Sequence, residues 1–150
     1  MLLFLLESGG STITQQLAKE MCFTQDKDLA RKVAEIMVAF DLEKVYSKDE
    51  ILELYINKIY YGDGYYGLKE ASLGYYKKMP SELTLSELTT LAGIPNAPSI
   101  YSLTNSPRLA KERQKQVLYA MVEYGYMSQE TMNEIINEWQ KVILKITTTY

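Results

Sequence analysis

The feature that most narrows what this chain can fold into is a helical spacing of apolar residues running nearly end to end, with no stretch of sustained strand alternation. Ile13, Leu17 and Met21 recur every four residues behind Thr12 and Gln15, a pair with capping-box spacing. A polar turn from Thr24 to Asp28 precedes a second helix whose stripe Leu29, Val33, Ile36, Met37 and Phe40 is expected to be buried. Ser47 and Glu50 form another capping box ahead of Ile51, Leu52, Tyr55 and Ile59. Gly62, Gly64 and Gly67 then mark the least regular stretch. Thr84 and Glu87 cap a short helix ending near Gly93, and a loop holding Pro95 and Pro98 follows. Ser106-Pro107 and Gly125 are start and stop signals for the next helix, and Ser128 opens a last one reaching about Lys145. The tail from Ile146 to Tyr150 is β-prone. The expectation is an all-α single domain over residues 1–146, with 147–150 a tail or the start of a linker.

Length and composition set outer limits. At 150 residues the chain can bury a real core, and 47% hydrophobic with 23% charged residues is far from a disordered composition. A net charge of -3 argues against broad nucleic-acid binding but leaves room for a local cationic patch. The absence of histidine removes Ser-His-Asp and Cys-His catalysis and histidine metal sites together. Cys22 is the single cysteine, so no internal disulfide exists, and its apolar helical setting suggests a buried thiol. The apolar start, Met1 to Leu6, is far shorter than the roughly 20 residues that span a bilayer, and reads as the end of a core helix.

Arg31, Lys32 and Glu35 share one helical face, expected to point away from the core, and by themselves describe a solvated face with an intrahelical ion pair. Gln15, Gln16 and Lys19 crowd the polar side of the preceding helix, whose N-terminus follows Gly9-Gly10, an arrangement suited to a phosphate. Thr12 to Met21 with the following turn also fits the start of a helix-turn-helix. The turn lacks glycine, the second helix carries few base-reading residues and the charge is acidic, so nucleic acid is not the expected partner. Tyr60, Tyr61, Tyr65 and Tyr66 could stack on sugars or simply pack beneath a loop. Lys48, Glu50 and Glu53 read as helix-surface charges and Asp63 as a turn residue.

Taken in order, these segments resemble the glycosyltransferase domain of class A penicillin-binding proteins and monofunctional peptidoglycan glycosyltransferases. Gly9-Gly10-Ser11-Thr12-Ile13-Thr14-Gln15-Gln16-Leu17-Ala18-Lys19 is similar to the family's second motif, and Arg31-Lys32-Val33-Ala34-Glu35 to its third. The run from Lys48 to Asn57 resembles the fourth and that from Arg113 to Met121 the fifth, with family-like stretches also at 61–67 and 91–99. Such order is improbable by chance.

The resemblance implies a lysozyme-like helical domain that polymerises lipid II by inverting transfer from a lipid-diphosphate donor, at the extracytoplasmic face of the bacterial cytoplasmic membrane. It implies that Lys19, Arg31 and Lys32 neutralise the diphosphate while Gln16 donates hydrogen bonds to it. Glu35 matches the family's second essential glutamate, a catalytic residue orienting these cations or a divalent ion, magnesium or manganese. Tyr60 lines the donor groove, and Glu53 and Asn57 buttress helices. The implied partners are lipid II, the growing glycan strand, the membrane surface and, in a full-length protein, a C-terminal transpeptidase domain. The family's first motif, Glu-Asp-x-x-Phe followed by a histidine-containing segment, is expected before Gly9, where this chain has eight residues and no histidine. Glu7 lacks that context. The chain is therefore expected to hold the donor without turnover; a non-catalytic module for lipid-diphosphate sugars is the alternative. Uncovered apolar surface near Leu2 to Leu6 is expected to promote association.

Overall fold

The structure, a computed structural model, describes residues 12–22 and 29–147, with the side chains of 22, 29, 31 and 139–147 outside that description. Expectations for Cys22, for Leu2 to Leu6 and for the tail beyond 147 fall outside it. The described elements are α1 (Ile13–Cys22), α2 (Leu29–Val45), α3 (Lys48–Ile56), α4 (Leu68–Tyr76), α5 (Leu85–Gly93), α6 (Pro98–Tyr101), α7 (Pro107–Glu123) and α8 (Gln129–Thr147), with 3-10 turns at Pro80–Glu82 and Ile94–Asn96. Among the described residues the only β pairing is one isolated antiparallel bridge, Tyr60 to Tyr66. The all-α expectation holds.

The capping boxes are formed. Ser47 Oγ accepts from the Glu50 amide at 3.3 Å while Glu50 accepts from the Ser47 amide at 2.8 Å, which satisfies orphan donors at the start of α3. The same exchange starts α5 through Thr84 and Glu87, and the Gln15 amide donates to Thr12 Oγ1 at 3.2 Å ahead of α1. Gly125, at φ 75, follows the end of α7. Three elements depart from the sequence pattern. Residues 68–76 form a helix that the pattern did not single out, and the prolines at 95 and 98 each start a short helical turn, where a missing N–H costs nothing.

One core unites most of the chain. Ile13 and Leu17 of α1 meet Ile51 and Tyr55 of α3, then Ala71 of α4 and Leu91 of α5. A smaller cluster, Leu118, Met132 and Ile135, joins α7 to α8. Full burial of each such aliphatic side chain is worth roughly 1.5–3 kcal/mol.

The second helix reverses the expected orientation. Val33 is 53% exposed and Met37 and Phe40 are each 64% exposed, whereas Glu35 is 2% exposed and Ala39 7%. The stripe Val33, Met37 and Phe40 is therefore the outer face, Ile36 is half-buried, and Glu35 with Ala39 is the inner one. The physical reason lies in the neighbours. α2 packs on α1 and α3 through its Glu35, Ala39 and Leu42 side, and the inner carboxylate is paired with Lys32. Met21, the third residue of the α1 stripe, is likewise exposed.

Candidate functional site

Glu43 clips the N-terminal helices together. Thr14 of α1 donates to Glu43 Oε1 at 2.7 Å, and Lys48 of α3 forms an ion pair with the same oxygen at 2.8 Å. The Lys48 and Thr14 bonds hold the Glu43 carboxyl below its ordinary pKa. With α1 so fixed, Gln16 meets α3: the Tyr55 hydroxyl donates to Gln16 Oε1 at 3.1 Å. That bond ties the Gln16 side-chain oxygen of α1 to α3. Burial pushes the Tyr55 phenol well above its usual pKa, so it remains a donor throughout the physiological range.

The cationic members belong to the two helices α1 and α2, which pack together. Lys19 is exposed on α1 one turn beyond Gln16. Lys32 Nζ sits 3.3 Å from Glu35 Oε2, so the buried carboxylate restrains a half-exposed ammonium. Arg31 lies on α2 beside Lys32; its side chain is outside the described residues. The expectation that Glu35 projects away from the core is corrected here. Its inward position makes it a group that holds a cation in place rather than one open to bulk water.

A groove of about 750 Å³ runs along α3, lined by Glu50, Glu53, Asn57 and Lys58, with Glu20 of α1 and Tyr66 of the glycine-rich loop on its sides. The helix spacing carries this: 50, 53 and 57 share one face, while Ile51 and Tyr55 occupy the buried one. Glu53 and Asn57, expected as helix buttresses, are exposed on the groove wall instead. Tyr60 stacks on Tyr66 with ring centroids 4.8 Å apart and accepts a hydrogen bond from the Gly64 amide at 3.3 Å. Tyr60 therefore stands behind Tyr66, which is the ring on the groove. Sequence reasoning passed over Glu20 and Lys58 and weighed Tyr66 only as one of four tyrosines able to stack on sugars or pack beneath a loop. For Glu20 the available signal was its four-residue offset from Gln16, which puts both on one face of α1.

The loop bearing these tyrosines is held from behind. Gly67 has φ 82, and a Cβ there would lie 2.4 Å from the Asn57 carbonyl oxygen, so only glycine fits between the end of α3 and the start of α4. Asp63, at φ 53, accepts from the Ser102 hydroxyl at 2.6 Å, and that bond holds its carboxyl below the usual range. Asp63 is thus a turn residue, as expected, with an anchoring bond to the loop after α6.

A family profile described as transglycosylase matches residues 5–122. The chain belongs to the transglycosylase family. Penicillin-binding protein 1F of Bacillus subtilis is 49% identical over 120 residues, which are 80% of this chain and 17% of that protein. Penicillin-binding protein 1A of Pseudomonas aeruginosa is 40% identical over 133 residues, 89% of this chain and 16% of the relative. The crystal structure of penicillin-binding protein 1A from Haemophilus influenzae superposes with a TM-score of 0.58 at 30% identity, covering 85% of this chain and 16% of that one. The chain thus spans less than one fifth of the length of each of these relatives. Both the family resemblance carried by the four motifs and the helical glycosyltransferase fold are borne out. No helix among the described residues of this transglycosylase chain is long and apolar enough to cross a membrane.

Proposed function

We propose that the chain forms the donor-holding part of a peptidoglycan glycosyltransferase domain acting on lipid II at the extracytoplasmic membrane surface. The observation that carries this reading is the joint between α1, α2 and α3. Gln16 is oriented by Tyr55, Lys32 is restrained by Glu35, and Lys19 stands exposed on α1 one turn beyond Gln16.

The chemistry follows from charge. When the anomeric carbon of the lipid-linked strand is attacked by a sugar hydroxyl, the bond to the diphosphate oxygen breaks and negative charge grows on the leaving group. Lys19, Arg31 and Lys32 stabilise that charge, and Gln16 adds a directed hydrogen bond. Arginine suits this role because its planar fork can bind two phosphate oxygens at once. Glu35 keeps Lys32 in position. A magnesium or manganese ion, where required, would rest mainly on diphosphate oxygens, because Glu35 is enclosed and already paired with Lys32. Among the described residues no group of three Asp, Glu or Cys side chains could hold an ion unaided. The attacking hydroxyl also needs a base, and these 150 residues hold no Glu-Asp-x-x-Phe segment to supply it.

Two measurements test this. The purified 150-residue chain is expected to yield no glycan polymer from labelled lipid II; polymer formation would show that the base lies within this sequence. A soluble lipid-diphosphate sugar analogue is expected to bind in a salt-sensitive manner, and about tenfold more weakly to Lys19→Ala or Arg31→Ala, the loss of one charge-assisted contact. Unchanged affinity in both variants overturns the cradle. Binding that persists in the full gene product without polymerisation would favour a non-catalytic module for the same ligand.

A further inference from the structure

Between α3, α4 and α5 lies a second, smaller space of about 140 Å³, walled by Tyr55, Ile59, Tyr61, Leu68, Leu91 and Pro95. Nothing in the proposed transfer reaction uses it. Its hydrogen-bonding groups are engaged elsewhere: the Tyr55 hydroxyl donates to Gln16, the Tyr61 hydroxyl donates to the Ile56 carbonyl at 3.4 Å, and Pro95 has no N–H. A water placed there would find few of the two to four polar partners it needs. At about 140 Å³ the space has room for one small ring, and it opens to solvent at its rim. Two tyrosine rings in the wall offer faces and edges to another ring. Leu88 of α5, exposed at the rim, gives an apolar entry.

We propose that this pocket binds a single neutral aromatic ring of about six to eight non-hydrogen atoms, and that occupancy is felt at Gln16 through Tyr55. The coupling is geometric. One side of Tyr55 forms the pocket wall and its hydroxyl holds the Gln16 amide, so a ring that fills the space restricts the side chain that orients Gln16. Close-packed interiors transmit such a shift instead of absorbing it. The inference is independent of the transfer reaction, because binding is read without lipid II.

The experiment is a titration of the ¹⁵N-labelled chain with benzene, followed by amide shifts and by thermal melting. Saturable shifts at Ile59, Leu91 and the Gln16 side-chain amide are expected in the millimolar range, with a rise in melting temperature. Ala92 of α5 also lines the pocket, so Ala92→Leu places an isobutyl group in it and is expected to weaken benzene binding at least about tenfold. Leu88→Lys at the exposed rim serves as the second variant, should Ala92→Leu fold poorly, and is expected to weaken binding as well. Absence of saturable shifts in the wild-type chain overturns the site, and equal binding by both variants overturns its location. Shifts at Ile59 and Leu91 with a motionless Gln16 amide overturn the coupling.

Discussion

α2 and α7 are each 17 residues long and each buries ionisable or polar groups, yet they do so in opposite ways. On α7 the fully buried Gln114 donates to the Ser86 carbonyl at 2.8 Å and to Thr89 Oγ1 at 2.9 Å, and accepts from Lys111 at 2.8 Å. That network ties α7 to α5, and its apolar neighbours Val117 and Leu118 are buried with it. On α2 the buried Glu35 pairs with a half-exposed lysine, while Val33, Met37 and Phe40 face outward. A polar group closed into a network inside the fold specifies packing. One paired with a group that still reaches solvent can serve a ligand. The two helices thus contrast a polar network closed inside the fold with a buried carboxylate whose partner reaches solvent.

The largest expected effect breaks the network. Gln114→Ala leaves Lys111 and Thr89 without their shared partner, and should cost roughly 3 kcal/mol in urea unfolding. Glu35→Gln on α2 should cost less than about half of that, because Lys32 can turn to water. Equal losses in the two variants would erase the distinction drawn here.

Next comes pH. Burial depresses the Lys111 amine to about 8, with Lys115 adding to the shift and Glu112 and Glu138 opposing it. Above that value the unfolded chain still carries a proton on this lysine that the folded chain has shed. Stability should therefore rise from pH 8 towards about 9.5, by on the order of 1 kcal/mol. Lys111→Met should flatten this rise. A slope that survives the substitution would place the titration elsewhere. The buried phenols of Tyr55 and Tyr61, pushed well above their usual pKa, close the window near pH 10, where the unfolded tyrosines ionise first.

The smallest stability effect belongs to the outer face of α2. Met37→Ser and Phe40→Ser should change stability by no more than about 0.5 kcal/mol, since both side chains are exposed, while reducing self-association in sedimentation. A loss above about 2 kcal/mol in either would show that this face is covered and is part of a core.

Much of the fold was legible because local chemistry fixes helix ends. Ser47 with Glu50 and Thr84 with Glu87 satisfy their own helix starts within four residues, so no distant contact is needed to predict α3 or α5. The helix at 68–76 escaped notice because its start depends on Gly67 threading past Asn57 and on no capping side chain. The ordered motifs also sufficed for the family, and the match over residues 5–122 bears this out.

The direction in which α2 faces was decided by tertiary structure. Periodicity shows that Val33, Met37 and Phe40 share a side of a helix, but burial depends on which neighbour that side meets. α1 and α3 meet the other side, so the apolar stripe stays outside and Glu35 is enclosed. Likewise, the sequence names Gln16, Lys19 and Lys32 as candidates through the motifs that resemble the family's. The hydrogen bond across 39 positions from Tyr55 to Gln16, and the groove that puts Glu20 beside Glu53, exist only once the helices are packed. Spacing along a chain is a local quantity, whereas a binding site depends on distances between elements that only the folded packing sets.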